Sequence, residues 1–121
     1  MENEEVETQA DLPPRFESFE AFWPYYLGEH RHPVNRWLHV LGTTLALGIM
    51  TWLLVIGLWY LMGLGVVVGY AFAWLGHFAV EKNKPASFGH AWFSFLGDCR
   101  MWRLAWTGRL GAELQRQGIE A

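Results

Sequence analysis

The apolar residues of this chain are gathered into one block instead of being spread as stripes. From Trp37 to Val80 there is no Asp, Glu, Lys or Arg, and the charged residues lie on either side. A helix needs about 20 apolar residues to cross the hydrocarbon of a bilayer, so the block holds two crossings and not three. Glycines at 57, 63 and 65 offer places to reverse direction. The pattern predicts transmembrane helices over about 37–58 and 62–81, closed as a hairpin. Two buried helices of a soluble bundle are the alternative, but the rest of the chain is too short to cover that much apolar surface.

The flanks read differently. Phe16, Phe19, Trp23 and Tyr26 recur at three- to four-residue spacing, the pattern of an amphipathic helix lying along a membrane interface. It is predicted over about 15–29, with Pro24 expected to kink or end it. Pro33 then opens a fresh helix, since proline is tolerated in a first turn. The second crossing runs into Glu81-Lys82-Asn83-Lys84-Pro85. A second interfacial helix, with a partly inserted one as the alternative, is predicted over about 87–106, where Trp92, Trp102 and Trp106 mix with Asp98, Arg100 and Arg103. Residues 1–14 read as a disordered acidic tail, 15–107 as a single membrane domain and 108–121 as a polar C-terminal tail. The fold class is an all-α membrane protein: a two-helix transmembrane hairpin with flanking interfacial amphipathic helices.

Composition sharpens this picture. The chain is 52% hydrophobic and 17% charged, richer in apolar surface than a soluble domain of this size tolerates. The first 14 residues carry acids and no base, the opposite of a secretory signal or a mitochondrial presequence. The net charge of −3 arises largely in that tail, and no basic stripe offers itself to nucleic acid. Cys99 stands alone, which excludes an internal disulfide and a cysteine-based zinc site. Arg31 and Arg36 precede the first crossing, Lys82 and Lys84 follow the second, and the turn has no base. The positive-inside rule then puts both termini in the cytoplasm, at a bacterial inner membrane or, in a eukaryote, the endoplasmic reticulum.

Candidate chemistry sits at the open end of the hairpin. His77 and Glu81 are four residues apart, as are Asn35 and His39, so each pair shares a helical face. Asn35 with Glu81, and His39 with His77, are symmetric about residue 58, so a turn centred there brings the two pairs together; a turn at Gly63 offsets them by roughly 10 Å. Histidine and carboxylate at a membrane boundary are costly and point to function. Two or three His with one Glu suit the open facial site of a non-haem Fe(II) oxygenase, and zinc fits the same ligands, which is the alternative of a zinc-dependent lipid hydrolase with metal-bound water as nucleophile. His39 facing His77 would also suit axial ligation of haem. A scaffold protein with structural histidines is the non-catalytic alternative. His77 and Glu81 can equally be a hydrogen-bonded pair tying the helices, His30 an interfacial surface residue, and Asn35 a backbone cap; His32 and His90 share no face with the others. Arg31, Arg36, Lys82 and Lys84 set topology and could also attract a substrate carboxylate.

The segment His30-Arg31-His32-Pro33-Val34-Asn35-Arg36-Trp37-Leu38-His39, followed after the apolar gap by Gly76-His77-Phe78-Ala79-Val80-Glu81 and Lys84-Pro85-Ala86, resembles the Mpo-like family of small membrane proteins. The resemblance runs from about Phe16 to Trp106, and the approach Tyr25-Tyr26-Leu27-Gly28-Glu29-His30 is similar to the short bacterial branch. Characterised fungal members are Fe(II)-dependent dioxygenases of the endoplasmic reticulum that act in α-oxidation of 2-hydroxy fatty acids. The resemblance implies metal-site roles for His30, His39 and His77, with Glu81 as ligand or as support for one. It also implies an Fe(2+) cofactor, and a fatty acyl substrate and O₂ as partners. Asn35, Arg36 and Lys84, from their positions beside these residues, are expected near substrate or behind the ligands.

Overall fold

The computed structural model describes residues 15–85 and 89–119. The expected acidic tail at 1–14 lies outside them. Every element among the described residues is helical: α1 (Phe19–Gly28), α2 (Pro33–Val55), a 3₁₀ turn (Trp59–Leu61), α3 (Gly63–Leu75), a π-helical turn (Gly76–Glu81), α4 (Ala91–Trp106) and α5 (Leu110–Arg116).

The helix of the first crossing begins at Pro33, where a proline in the first turn was expected to open it. His32 caps it, its Nδ1 accepting the Val34 N–H at 3.1 Å. The chain reverses through Gly57, whose φ of +82° favours a residue without Cβ. Pro33–Val55 and Trp59–Glu81 are each long and apolar enough to cross a membrane, and only 22% and 17% of their most apolar windows are buried inside the protein. A soluble core helix would be mostly buried. Here Trp52, Val55 and Val67 stay over 60% exposed, a surface that lipid solvates and water does not. The two helices pack closely through small residues: a Cβ at Gly42 would stand 2.7 Å from Phe72 Cβ, and one at Gly65 2.8 Å from the Ala46 carbonyl oxygen.

The polar end of the hairpin is covered by an aromatic cluster. Phe22, Trp23, Tyr26 and Leu27 of α1 pack with Met101 of α4 and Leu114 of α5, all at most 2% exposed. Pro24 does not end α1; the helix continues to Gly28 because three consecutive turns of aromatic side chains are held by this packing. Arg100 grips Glu20 at 2.7 Å and lies over the Phe19 ring at 4.5 Å. Nor does the chain trail away after α4. Within the expected polar tail, α5 folds back, and Glu113 accepts the Trp23 indole N–H at 2.8 Å. α4 also reaches the hairpin itself. The indoles of Trp102 and Trp106 donate to Thr44 Oγ1 at 3.0 and 3.2 Å, roughly 16 Å along α2 from Pro33. Of the two arrangements expected for this helix, its C-terminal half therefore takes the one that presses against α2 beside the apolar block.

Candidate metal centre

Three elements each supply one imidazole. His30 follows α1, in a turn closed by its N–H to the Leu27 carbonyl at 3.1 Å. Its ring stacks on Tyr26 at 4.1 Å, and Arg36 holds its backbone by donating to the His30 and Arg31 carbonyls at 3.0 and 2.7 Å. His39 sits on α2, one turn after Asn35. His77 stands in the π-helical turn, where the widened backbone is a common feature of functional sites. That turn ends at Lys82 with φ 57°, and the Asn83 N–H then bonds back to the His77 carbonyl at 3.0 Å. The three rings lie 4.3, 4.5 and 4.8 Å apart, each steeply inclined to the others, and all three residues are buried.

Hydrogen bonds decide the protonation of each ring. His30 Nδ1 meets the Tyr26 carbonyl oxygen at 2.6 Å, and His39 Nδ1 the Asn35 carbonyl oxygen at 3.0 Å. A carbonyl only accepts, so both nitrogens carry the proton. His77 Nδ1 meets Asn83 Oδ1 at 2.7 Å. The Asn83 amide nitrogen donates to the Glu29 carbonyl at 3.1 Å and the Glu29 carboxylate at 2.7 Å, which assigns Oδ1 as the acceptor facing His77. All three Nδ1 atoms donate, so all three Nε2 atoms present lone pairs. The rings face one another: His30 Nε2 and His39 Nε2 are 3.0 Å apart, and one ring nitrogen from each of the three residues lies within 4.8 Å of the others. Two facing lone pairs at that distance repel unless a cation lies between them. Nitrogens bound at about 2.0–2.1 Å on one face of a metal ion would stand about 3 Å apart, which is the spacing of the His30 and His39 pair. Burial and the two neighbouring imidazoles hold His30 well below the ordinary imidazole range, keeping it neutral and able to ligate. Beside the cluster is a pocket of about 20 Å³, also lined by Ser94 and Asp98, with room for one small species.

The remaining expected site residues stand around this centre. Glu81 Oε1 accepts the His32 N–H at 2.5 Å and the Asn35 amide at 3.3 Å, tying the π-helical turn to the start of α2. It is absent from the convergent group, which among the described residues holds His30, His39 and His77. Asn35 is fully buried against Gly76, where any Cβ would collide with its Oδ1. The close pairing of Asn35 with Glu81, and of His39 with His77, is the register of a turn near residue 58. Arg36 is engaged with backbone, and Lys84 is exposed. His90 accepts the Phe16 N–H at 3.1 Å, away from the cluster.

Sequence reasoning read Tyr26 as part of an amphipathic stripe and Asp98 as a charge of the flanking helix, and it placed neither of them, nor Asn83 or Ser94, beside the histidines. Tyr26 lies four residues before His30, a spacing that was legible. Asn83 lies six after His77, which matches no regular helix and arises only because the π turn and the left-handed Lys82 bring it round. Tyr26 also donates its hydroxyl to Asp98 of α4, joining the stack on His30 to a carboxyl beside the pocket.

A family model described as "2-hydroxy-palmitic acid dioxygenase Mpo1-like" matches residues 16–110. No curated protein and no solved structure matches the chain.

Proposed function

The chain belongs to the Mpo1-like family, and on that premise we propose that it is an Fe(II)-dependent dioxygenase of 2-hydroxy fatty acids, acting in α-oxidation. The observation that carries the reading is the convergence of three buried imidazoles at the mouth of an apolar hairpin. His30, His39 and His77 would hold the ion. Iron bound there would supply the redox chemistry with O₂, its remaining positions being open to the substrate's hydroxyl and carboxylate. Overall, the C1–C2 bond breaks, O₂ is the oxidant, the carboxyl leaves as CO₂, C2 becomes the new carboxyl and water is the third product.

The chain's own residues orient and enclose. Tyr26, Asn35 and Asn83 hold the three Nδ1 protons, so each ring keeps one tautomer and one direction. Glu81 locks the two ends of the hairpin, which keeps His39 and His77 in register. Packing of α1 and α4 over the cluster excludes bulk water. The third ring, 4.3 and 4.5 Å from the other two, fills the space that a porphyrin between His39 and His77 would require, so the donor set favours a bare ion.

The bases at the outer ends of the hairpin favour both termini in the cytoplasm; a reporter fused after Ala121 that appeared on the far side would overturn that orientation. The activity is tested by anaerobic purification, metal analysis and O₂ uptake with 2-hydroxypalmitic acid. Stoichiometric iron with O₂ consumption and a product one carbon shorter is expected. Bound zinc with no O₂ uptake would instead identify a metal-dependent hydrolase.

A further inference from the structure

We propose that the groove between α4 and the α2/α3 hairpin receives the acyl chain of a free long-chain 2-hydroxy acid, its head at His39 and Asp98 and its tail directed toward Leu47 and Val66. The inference rests on the dioxygenase reading and adds where the substrate lies. A cavity of about 570 Å³ occupies this groove, within the range of small-molecule sites of about 300–1,000 Å³.

Three observations identify the occupant. The first is continuity with the metal centre. His39, Tyr70, Ala73 and Asp98 line both this groove and the small pocket beside the three imidazoles, so a molecule in one abuts the other. The second is the chemistry of the lining. Leu47, Val66, Ala73 and Phe95 offer hydrocarbon, His39 and Asp98 stand at the metal end, and Arg100 and Arg103 of α4 also border the groove. A ligand with a long hydrocarbon tail and one charged head matches that lining, and a wholly polar ligand does not. From His39 to Leu47 the groove runs about 12 Å along α2, long enough to discriminate chain length.

The third observation is access. Leu47, Val66 and Phe95 are 43–52% exposed on helices whose outer faces suit lipid. A chain dissolved in the bilayer can therefore slide in sideways, while its carboxylate stays near the level of His39, about 9 Å along α2 from Pro33. This arrangement keeps the charge near the interface and needs no passage through water.

Cys99, the sole cysteine, also lines the groove and is exposed, so the unmodified protein carries its own reporter. The test measures alkylation of Cys99 by N-ethylmaleimide in iron-loaded, full-length protein in phospholipid nanodiscs under anaerobic conditions. An occupant that shields the thiol slows alkylation by one plus the ratio of its concentration to Kd, so 2-hydroxypalmitic acid at about ten times Kd is expected to slow it about tenfold. Leu47→Trp narrows the far end at an exposed position, and it is expected to abolish protection by 2-hydroxypalmitic acid while sparing 2-hydroxyoctanoic acid. Equal alkylation with and without the long acid, whether bilayer lipid fills the groove or nothing does, overturns the proposal. So does protection by the long acid that Leu47→Trp leaves unchanged. Protection without any O₂ uptake would retain the groove and refute the dioxygenase reading, whereas O₂ uptake without protection would do the reverse.

Discussion

Asn83 stands directly behind His77. Its Oδ1 accepts the Nδ1 proton at 2.7 Å, while its amide is held by the backbone and carboxylate of Glu29 at the end of α1. The segment after the second crossing and the segment before the first thus meet through one side chain, which orients the imidazole between them. Asn83→Ala removes that acceptor and leaves the ring free to rotate or change tautomer. A loss of about 10–100-fold in metal affinity is expected, read by competition with a chelator. Unchanged affinity would mean that packing alone orients His77.

The histidines divide by what their Nε2 atoms face. His30→Ala, His39→Ala and His77→Ala should each lose stoichiometric iron, because each removes one convergent donor. His90→Ala should retain it, since His90 accepts a backbone N–H from Phe16 instead. Metal content per chain after anaerobic purification decides. Full iron in any of the first three variants would remove that residue from the ligand set.

Glu81 separates the roles of clamp and ligand. Its Oε1 accepts from the His32 backbone and the Asn35 amide, and a glutamine oxygen can accept both. Glu81→Gln should therefore keep iron close to the parent level, whereas Glu81→Ala leaves the buried Asn35 amide unpaired, at a cost of about 1–3 kcal/mol in thermal unfolding. Severe iron loss in Glu81→Gln would bring the carboxylate into the metal shell.

Gly76 is a matter of space. A Cβ there would overlap Asn35 Oδ1 and stand 2.9 Å from its Cγ, and Asn35 is fully buried with nowhere to move. Gly76→Ala should cost about 1–3 kcal/mol and disturb the adjacent His77. Asn35→Ala in the same chain should restore much of the stability by relieving the overlap, a coupling that a double-mutant cycle of melting temperatures measures. Additive losses would refute the steric account.

Asp98 makes stability depend on pH. Burial pushes its carboxyl up to about 7, against the bond from Tyr26 that lowers it, while the ordinary value is 3.8. Between these values the folded chain holds a proton that the unfolded chain releases, so this contribution is fully present at low pH and is lost as pH rises from about 4 to about 7. Unfolding compared at about pH 5 and about pH 8 should show the decline in the parent and a smaller one in Asp98→Asn, whose side chain does not titrate. Equal slopes would assign the dependence to other groups.

The hairpin was legible in the sequence because its cause is local. A charge-free block twice the length of a bilayer crossing, with glycines near its middle, has one economical arrangement, and turn position then sets which residues face each other at the open end. That logic reached the pairing of His39 with His77 and of Asn35 with Glu81, and Pro33 marked where α2 begins. It did not reach His30 from spacing, since His30 belongs to a different element and shares no helical face with His39; only the resemblance pointed to it. Its place depends on Tyr26 stacking and on Arg36 gripping its carbonyl. The extra width of the π turn and the left-handed Lys82 placed Asn83 on His77, and docking of Trp102 and Trp106 on Thr44 drew α4 against the hairpin to form the groove. Periodicity records which face of one element is apolar. How separate elements meet is decided by contacts between residues far apart in the chain, and no single window of sequence carries that information.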